Sequence, residues 1–185
     1  MTMTKEVVFV QGGGEGAHAE DGRLVASLRN ELGAGYDVRY PTMPNESSPE
    51  YPAWRRRLAE VLATSRAGVI LVGHSIGATM LIRFLAEGGL EGRAGGIFLI
   101  AAAFVGDGGW TSDEFELPSP LAAKLPAGTP VFLYHGSDDE IVPFAHVDLF
   151  EKELPHAVVR RLEGRDHQLG DDLSDVAADI RTLGQ

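Results

Sequence analysis

The stretch ILVGHSIGATMLIRFLAE, residues 70–87, runs from a short apolar strand pattern into a near-continuously apolar helix pattern, with Gly73-His74-Ser75-Ile76-Gly77 between them. A sharp strand-to-helix turn leaves little room for side chains two positions either side of its centre, which accounts for the two glycines. Such a turn holds Ser75 in a strained conformation and aims the helix start, with the Ile76 N–H, at negative charge developing nearby. Ser75 is therefore a candidate nucleophile and Ile76 a candidate oxyanion donor. With 23 glycines in the chain a G-x-S-x-G pattern can also arise by chance, so the flanking strand and helix carry the argument. His74 is expected to be structural, its side chain directed away from Ser75.

Other short β-rich runs occur at Glu6 to Val10, Tyr36 to Tyr40, Gly68 to Val72, Gly95 to Ile100, Pro130 to Tyr134 and Val158 to Leu162. Most are nearly continuous in apolar residues, as parallel strands covered on both faces should be. Helical patterns separate them: Trp54, Leu58, Val61 and Leu62 share one face, and so do Leu173, Val176, Ala177, Ile180 and Leu183. Alternation of this kind predicts an α/β fold with a doubly wound parallel sheet, right-handed crossovers, and a ligand site beyond the carboxyl ends of the strands. The one long irregular piece, 104–128, is a candidate lid. Its Trp110, Phe115 and Leu117 either line a substrate pocket or cover the core.

The chain of 185 residues is 44% apolar, enough to bury roughly 70% of its unfolded surface, and one domain over 1–185 is expected. A net charge of −11 argues against nucleic acid or an anionic membrane as partner. Only Arg55, Arg56 and Arg57 form a basic run, expected to face solvent. With no cysteine, disulfides and thiolate chemistry are excluded, leaving oxygen and nitrogen groups. The apolar run after Lys5 and Glu6 is too short for a signal peptide and no stretch is long enough to span a bilayer, so a cytoplasmic location is expected.

A serine nucleophile needs a base within reach, and the base needs a partner that fixes its tautomer. Asp138 and Asp139 follow the fifth strand pattern, and His167 follows the sixth. The order Ser, Asp, His is that of α/β hydrolases. His18, His74, His135, His146 and His156 fall elsewhere. The loop VQGGGEGAH, residues 10–18, admits two readings. Gly12, Gly14 and Ala17 fit a dinucleotide-binding turn, but the acidic residue such a turn needs about 20 positions on is replaced by Tyr40-Pro41, with Asp37 too early. The same loop can instead donate a backbone N–H to an oxyanion.

Taken together, YPTMPNESSPEYPAW, VGHSIGATMLIRFL, GGIFLIAAAF, SDDEIVPF and GRDHQL resemble the compact α/β hydrolases of the YdeN and retinoblastoma-binding-protein type, over nearly the whole chain. The resemblance implies a six-stranded core in order 2-1-3-4-5-6, without a separate cap domain and without the first two strands of larger relatives. It selects Asp139 through G-x-x-D-x-x-V-P, with Asp138 a solvated or loop-capping neighbour, and makes Gly13 the oxyanion donor beside Ile76. Gln11 stands where that family commonly has histidine, and Asp166 where it usually has glycine. The implied activity is serine hydrolysis of a small-molecule ester, thioester or amide without metal or organic cofactor. A partner-binding module on the same fold is the alternative, and the sequence leaves oligomeric state open.

Overall fold

The computed structural model describes residues 4–90, 92 and 94–184. Six strands, β1 (Lys5–Val10), β2 (Tyr36–Arg39), β3 (Ile70–His74), β4 (Gly96–Ile100), β5 (Val131–Gly136) and β6 (Val158–Leu162), form one sheet in the order β2-β1-β3-β4-β5-β6. Every neighbouring pair is parallel. The expected strands and their order are all present, with small shifts at the ends. Gly68, at φ 78°, belongs to the preceding turn, so β3 starts at Ile70.

Five helices cover the sheet: α1 (Ala17–Leu32), α2 (Tyr51–Ala63), α3 (Ser75–Ala86), α4 (His146–Glu153) and α5 (Ser174–Thr182). Side chains alternate across a strand, so each strand supplies two cores. Val8, Val10, Leu71, Leu99 and Leu133 pack with Trp54, Leu58, Phe84 and Phe150 from α2, α3 and α4. Val7, Phe9, Val72, Phe98 and Tyr134 pack with Leu24, Leu28, Val176 and Ile180 from α1 and α5. Both faces of the central strands are thereby dry, which is why their sequences read as unbroken apolar runs.

Segment 104–128 contains no helix or strand beyond an isolated bridge between Val105 and Trp110. Buried Phe104, Leu117 and Leu121 fix it to the α2–α3–α4 core. Glu114 accepts the Tyr51 N–H at 2.8 Å and Glu153 accepts the Leu121 N–H at 2.8 Å. Leu117 covers the core and so leaves the candidate pocket set.

The strand order reverses between β2-β1 and β3, and α3 starts there. A Cβ on Gly77 would lie 1.8 Å from the Gln11 carbonyl oxygen, so glycine lets the first turn of α3 press against the chain leaving β1. Gly77→Ala should destabilise the protein by at least about 3 kcal/mol, since backbone rather than a movable side chain is in the way. Gly22 lies inside α1 with open space around it. Gly22→Ala should stabilise by about 1 kcal/mol. Urea unfolding of the two variants checks both signs.

Candidate active site

Gly13, Ser75, Ile76, Asp139 and His167 all follow the carboxyl ends of strands of the sheet. Ser75 opens α3 with φ 54°, a left-handed conformation that a non-glycine residue adopts at a cost of about 1–3 kcal/mol. Its Oγ is 3.0 Å from His167 Nε2, and His167 Nδ1 is 2.8 Å from Asp139 Oδ2. The structure thus joins Ser75, His167 and Asp139 in one hydrogen-bonded relay. Asp139 must accept from the imidazole, so Nδ1 carries a proton and a neutral His167 presents Nε2 as acceptor to the serine hydroxyl.

Asp139 is positioned by its own turn: Oδ1 accepts the N–H groups of Ile141 and Val142, each at 2.8 Å. His135 Nε2 lies 3.2 Å from Oδ2. Burial raises the Asp139 pKa, but bonds from His135, His167 and Val142 outweigh it and hold the carboxyl well below the usual carboxylate range. The Asp139 and His167 loops are stitched together where Asp138 N–H donates to Arg165 O and Gly164 N–H to Ser137 Oγ. Asp138 itself is exposed and accepts from Ser137 Oγ at 2.8 Å. Asp166 accepts the Gly170 N–H at 2.8 Å, capping the turn after His167.

The glycine-rich loop lies against the elbow, and a Cβ on Gly13 would meet Pro49 Cγ at 2.6 Å and Ile76 Cγ2 at 2.8 Å. Gly12 N–H donates to Asp21 Oδ2 at 2.7 Å, and Gly14 N–H to the Glu46 carbonyl at 2.6 Å. Gly13 N–H, between them, has no acceptor among the described residues. Ile76 N–H belongs to the first turn of α3, whose donors have no partner within the helix. Glu46 further accepts the N–H groups of Gly16 and His18 at the start of α1, and Gln11 Nε2 donates to it at 2.7 Å. Buried Gln11 also accepts the Met43 N–H at 3.0 Å, giving this residue an anchoring role.

Beneath the relay, buried Asp21 and His74 face each other, Oδ2 to Nδ1, at 2.9 Å. Burial raises the Asp21 pKa, yet bonds from His74, Gly12 and Gln168 hold it below its ordinary value. Burial lowers that of His74, yet Asp21 and the His167 carbonyl hold it above. The His74 ring nitrogens are engaged by Asp21 and the His167 carbonyl rather than by Ser75. Asp21, Gln11 and Glu46 are parts of the site that sequence reasoning passed over. Asp21 carried a signal: with Ala17, Leu24, Val25, Leu28 and Leu32 it falls on the buried stripe of α1, where an aspartate needs partners.

Two clefts open at the elbow, one lined by Ser75 and the other by its neighbour Ile76. One of about 510 Å³ passes His167 and is rimmed by Glu20, Asp138, Glu140, Ile141 and Asp166. The other, about 590 Å³, is lined by Gly13, Pro49, Ile76, Val105, Trp110 and Phe115. Trp110 and Phe115 therefore do line a pocket. Of the other histidines, His18 stacks on Tyr40, His146 Nδ1 accepts the Phe104 N–H at 2.9 Å, and His156 is exposed. No described helix is long and apolar enough to cross a membrane.

Among solved structures, the ydeN gene product from B. subtilis superposes with a TM-score of 0.79 at 24% identity, covering 97% of this chain and 98% of its own. Esterase PE8 gives 0.68 at 20% identity, covering 98% and 94%. Est1E from Butyrivibrio proteoclasticus gives 0.69 at 15% identity, covering 97% and 86%. These likenesses are of fold. No curated protein sequence matches the chain. The sequence model of the alpha/beta hydrolase family matches residues 7–183, and with that match reaching from within β1 through β6 and taking in Ser75, Asp139 and His167, the chain belongs to the alpha/beta hydrolase family.

Proposed function

We propose that the protein is a serine hydrolase that cleaves an ester or similar acyl bond through Ser75, His167 and Asp139. The observation that carries this reading is the unbroken relay from Ser75 Oγ through His167 to Asp139. His167 Nε2 takes the hydroxyl proton as Ser75 Oγ attacks the carbonyl carbon, and Asp139 steadies the imidazolium that forms. The tetrahedral oxyanion is held by the N–H groups of Gly13 and Ile76. Collapse expels the leaving group, which takes the proton from His167 and leaves an acyl group on Ser75. Water, activated by the same imidazole, then releases the acid and restores the serine. No step calls for a metal or organic cofactor.

The clefts divide the substrate. We assign the apolar one under Trp110 and Phe115 to the acyl group and the one past His167 to the leaving group, which must meet the Nε2 proton as it departs. A neutral small-molecule acyl substrate fits that division. The strained Ser75 also favours catalysis over a partner-binding role, because binding alone gives no reason to retain the strain.

Ser75→Ala should lower hydrolysis of a short p-nitrophenyl ester on the order of a million-fold while the circular dichroism spectrum is unchanged. A fluorophosphonate probe should label wild type and not the variant. If wild type neither reacts with the probe nor turns over any ester, thioester or amide in a broad panel, the binding-module reading replaces this one.

The two aspartates separate the assignment further. Asp139→Asn should cost on the order of ten-thousand-fold in kcat by stabilising the wrong imidazole tautomer, and Asp138→Asn far less. Steady-state kinetics of the pair would show the opposite ranking if the acid were Asp138.

The pH dependence has a definite sign. His167 must be neutral to accept the serine proton, so kcat/KM falls as pH drops and the imidazole protonates. Asp139, held well below the usual carboxylate range, stays ionised through that fall, so the acid limb should follow a single group. Initial rates from about pH 5 to 9 with a neutral ester test this, and a flat profile would count against His167 as base.

A further inference from the structure

His74 plays no part in the steps above, yet it is buried and both its ring nitrogens face oxygen. Nδ1 is 2.9 Å from Asp21 Oδ2 and Nε2 is 3.0 Å from the His167 carbonyl oxygen. A carboxylate and a carbonyl can only accept, so a neutral ring of either tautomer would turn a bare lone pair at one of them. Only the imidazolium satisfies both. Asp21 completes the arrangement: its Oδ2 also accepts Gly12 N–H, and its Oδ1 accepts Gln168 Nε2 at 3.0 Å. Four separate segments, the loop after β1, helix α1, the end of β3 and the loop after β6, therefore meet at one carboxylate and one ring.

We infer that Asp21 and a doubly protonated His74 form a buried ion pair that positions the reaction centre from beneath, tying the loop that presents Gly13 to the loop that presents His167. The inference rests on the serine hydrolase reading for the meaning of that centre. Neither residue is bonded to Ser75 Oγ, so both are positioning residues. At the loop after β1, drawing Gly12 N–H inward to Asp21 leaves the next N–H, that of Gly13, as the unpaired one. At the other end, the bond to the His167 carbonyl fixes the backbone from which the base projects. The His74 and His167 rings stand 4.7 Å apart, tilted by 50°.

The charge is necessary to the geometry. In Asp21→Asn the single remaining side-chain oxygen can still accept from Gly12 and from His74 Nδ1, but a carboxamide does not support a buried cation. His74 becomes neutral, its bare Nε2 faces the His167 carbonyl, and the tie to the base loop fails.

The protonation is read on the wild-type protein without reference to activity. At about pH 7.5, where an unperturbed histidine is neutral, ¹⁵N-detected ring correlations should show one imidazole protonated on both nitrogens. That signal should be absent in His74→Gln. For the positioning role, Asp21→Asn should lower kcat toward a neutral p-nitrophenyl ester on the order of 100-fold. KM should stay within about two-fold, as expected when an interaction made only in the transition state is lost. Rates are expressed per site that reacts with fluorophosphonate, so that misfolded protein does not count. A neutral His74 ring in wild type overturns the ion pair. An unchanged per-site kcat in Asp21→Asn, with only the active fraction reduced, overturns the positioning role. If wild type has no turnover at all, the hydrolase reading and the positioning role fall together, while the ring signal still reports on the pair.

Discussion

The Gln11 carbonyl oxygen lies so close to Gly77 that no side chain of any size fits between them, and the site depends on that approach. It brings the end of β1 against the first turn of α3, so that the glycine-rich loop and the elbow share one wall. Two ends of adjacent parallel strands then diverge to opposite helices, and the crevice left between them is where a doubly wound sheet holds its ligand. Ser75, held at φ 54°, projects into that crevice because its backbone has no relaxed alternative in so short a turn.

What the approach creates, polar contacts then hold. The glycine-rich loop is gripped from both sides, at Gly12 by the Asp21 carboxylate and at Gly14 by the Glu46 carbonyl. Free backbone donors are rarely left in a partly buried loop. That Gly13 keeps one, beside the open first turn of α3, is the feature by which an otherwise ordinary turn becomes suited to developing negative charge. The loops that carry Asp139 and His167 are joined by backbone bonds as well as by the Asp139–His167 contact, so each braces the other.

Membership of the alpha/beta hydrolase family and the fold likeness to enzymes called esterases agree with the proposed chemistry without dictating it, since fold alone does not fix function. The proposed chemistry rests on the site: a serine hydroxyl, an imidazole 3.0 Å from it, a carboxylate behind the imidazole, and two clefts of different character nearby. The strap at 104–128 contributes by position. Its buried Leu117 and Leu121 hold it down, and that lets Trp110 and Phe115 wall the apolar cleft.

The sequence by itself determined an α/β fold with a parallel sheet, because central strands dry on both faces read as apolar runs and alternate with helical patterns, while the order of the six strands came through family resemblance. It also singled out Ser75 and His167, since an elbow needs glycines at fixed spacing and a base must follow the last strand. Asp139 over Asp138 came through family resemblance, and the contact with His167 agrees with it. Tertiary structure alone decided which of Gly12, Gly13 and Gly14 keeps an unpaired N–H, because the acceptors that occupy the other two come from residues 21 and 46. It alone decided that Leu117 covers the core while Phe115 lines the cleft, as an irregular segment has no period to mark its buried side. It alone joined Asp21 to His74, 53 residues apart, for a charged residue on an apolar stripe announces that it needs a partner but not which distant residue the fold will bring.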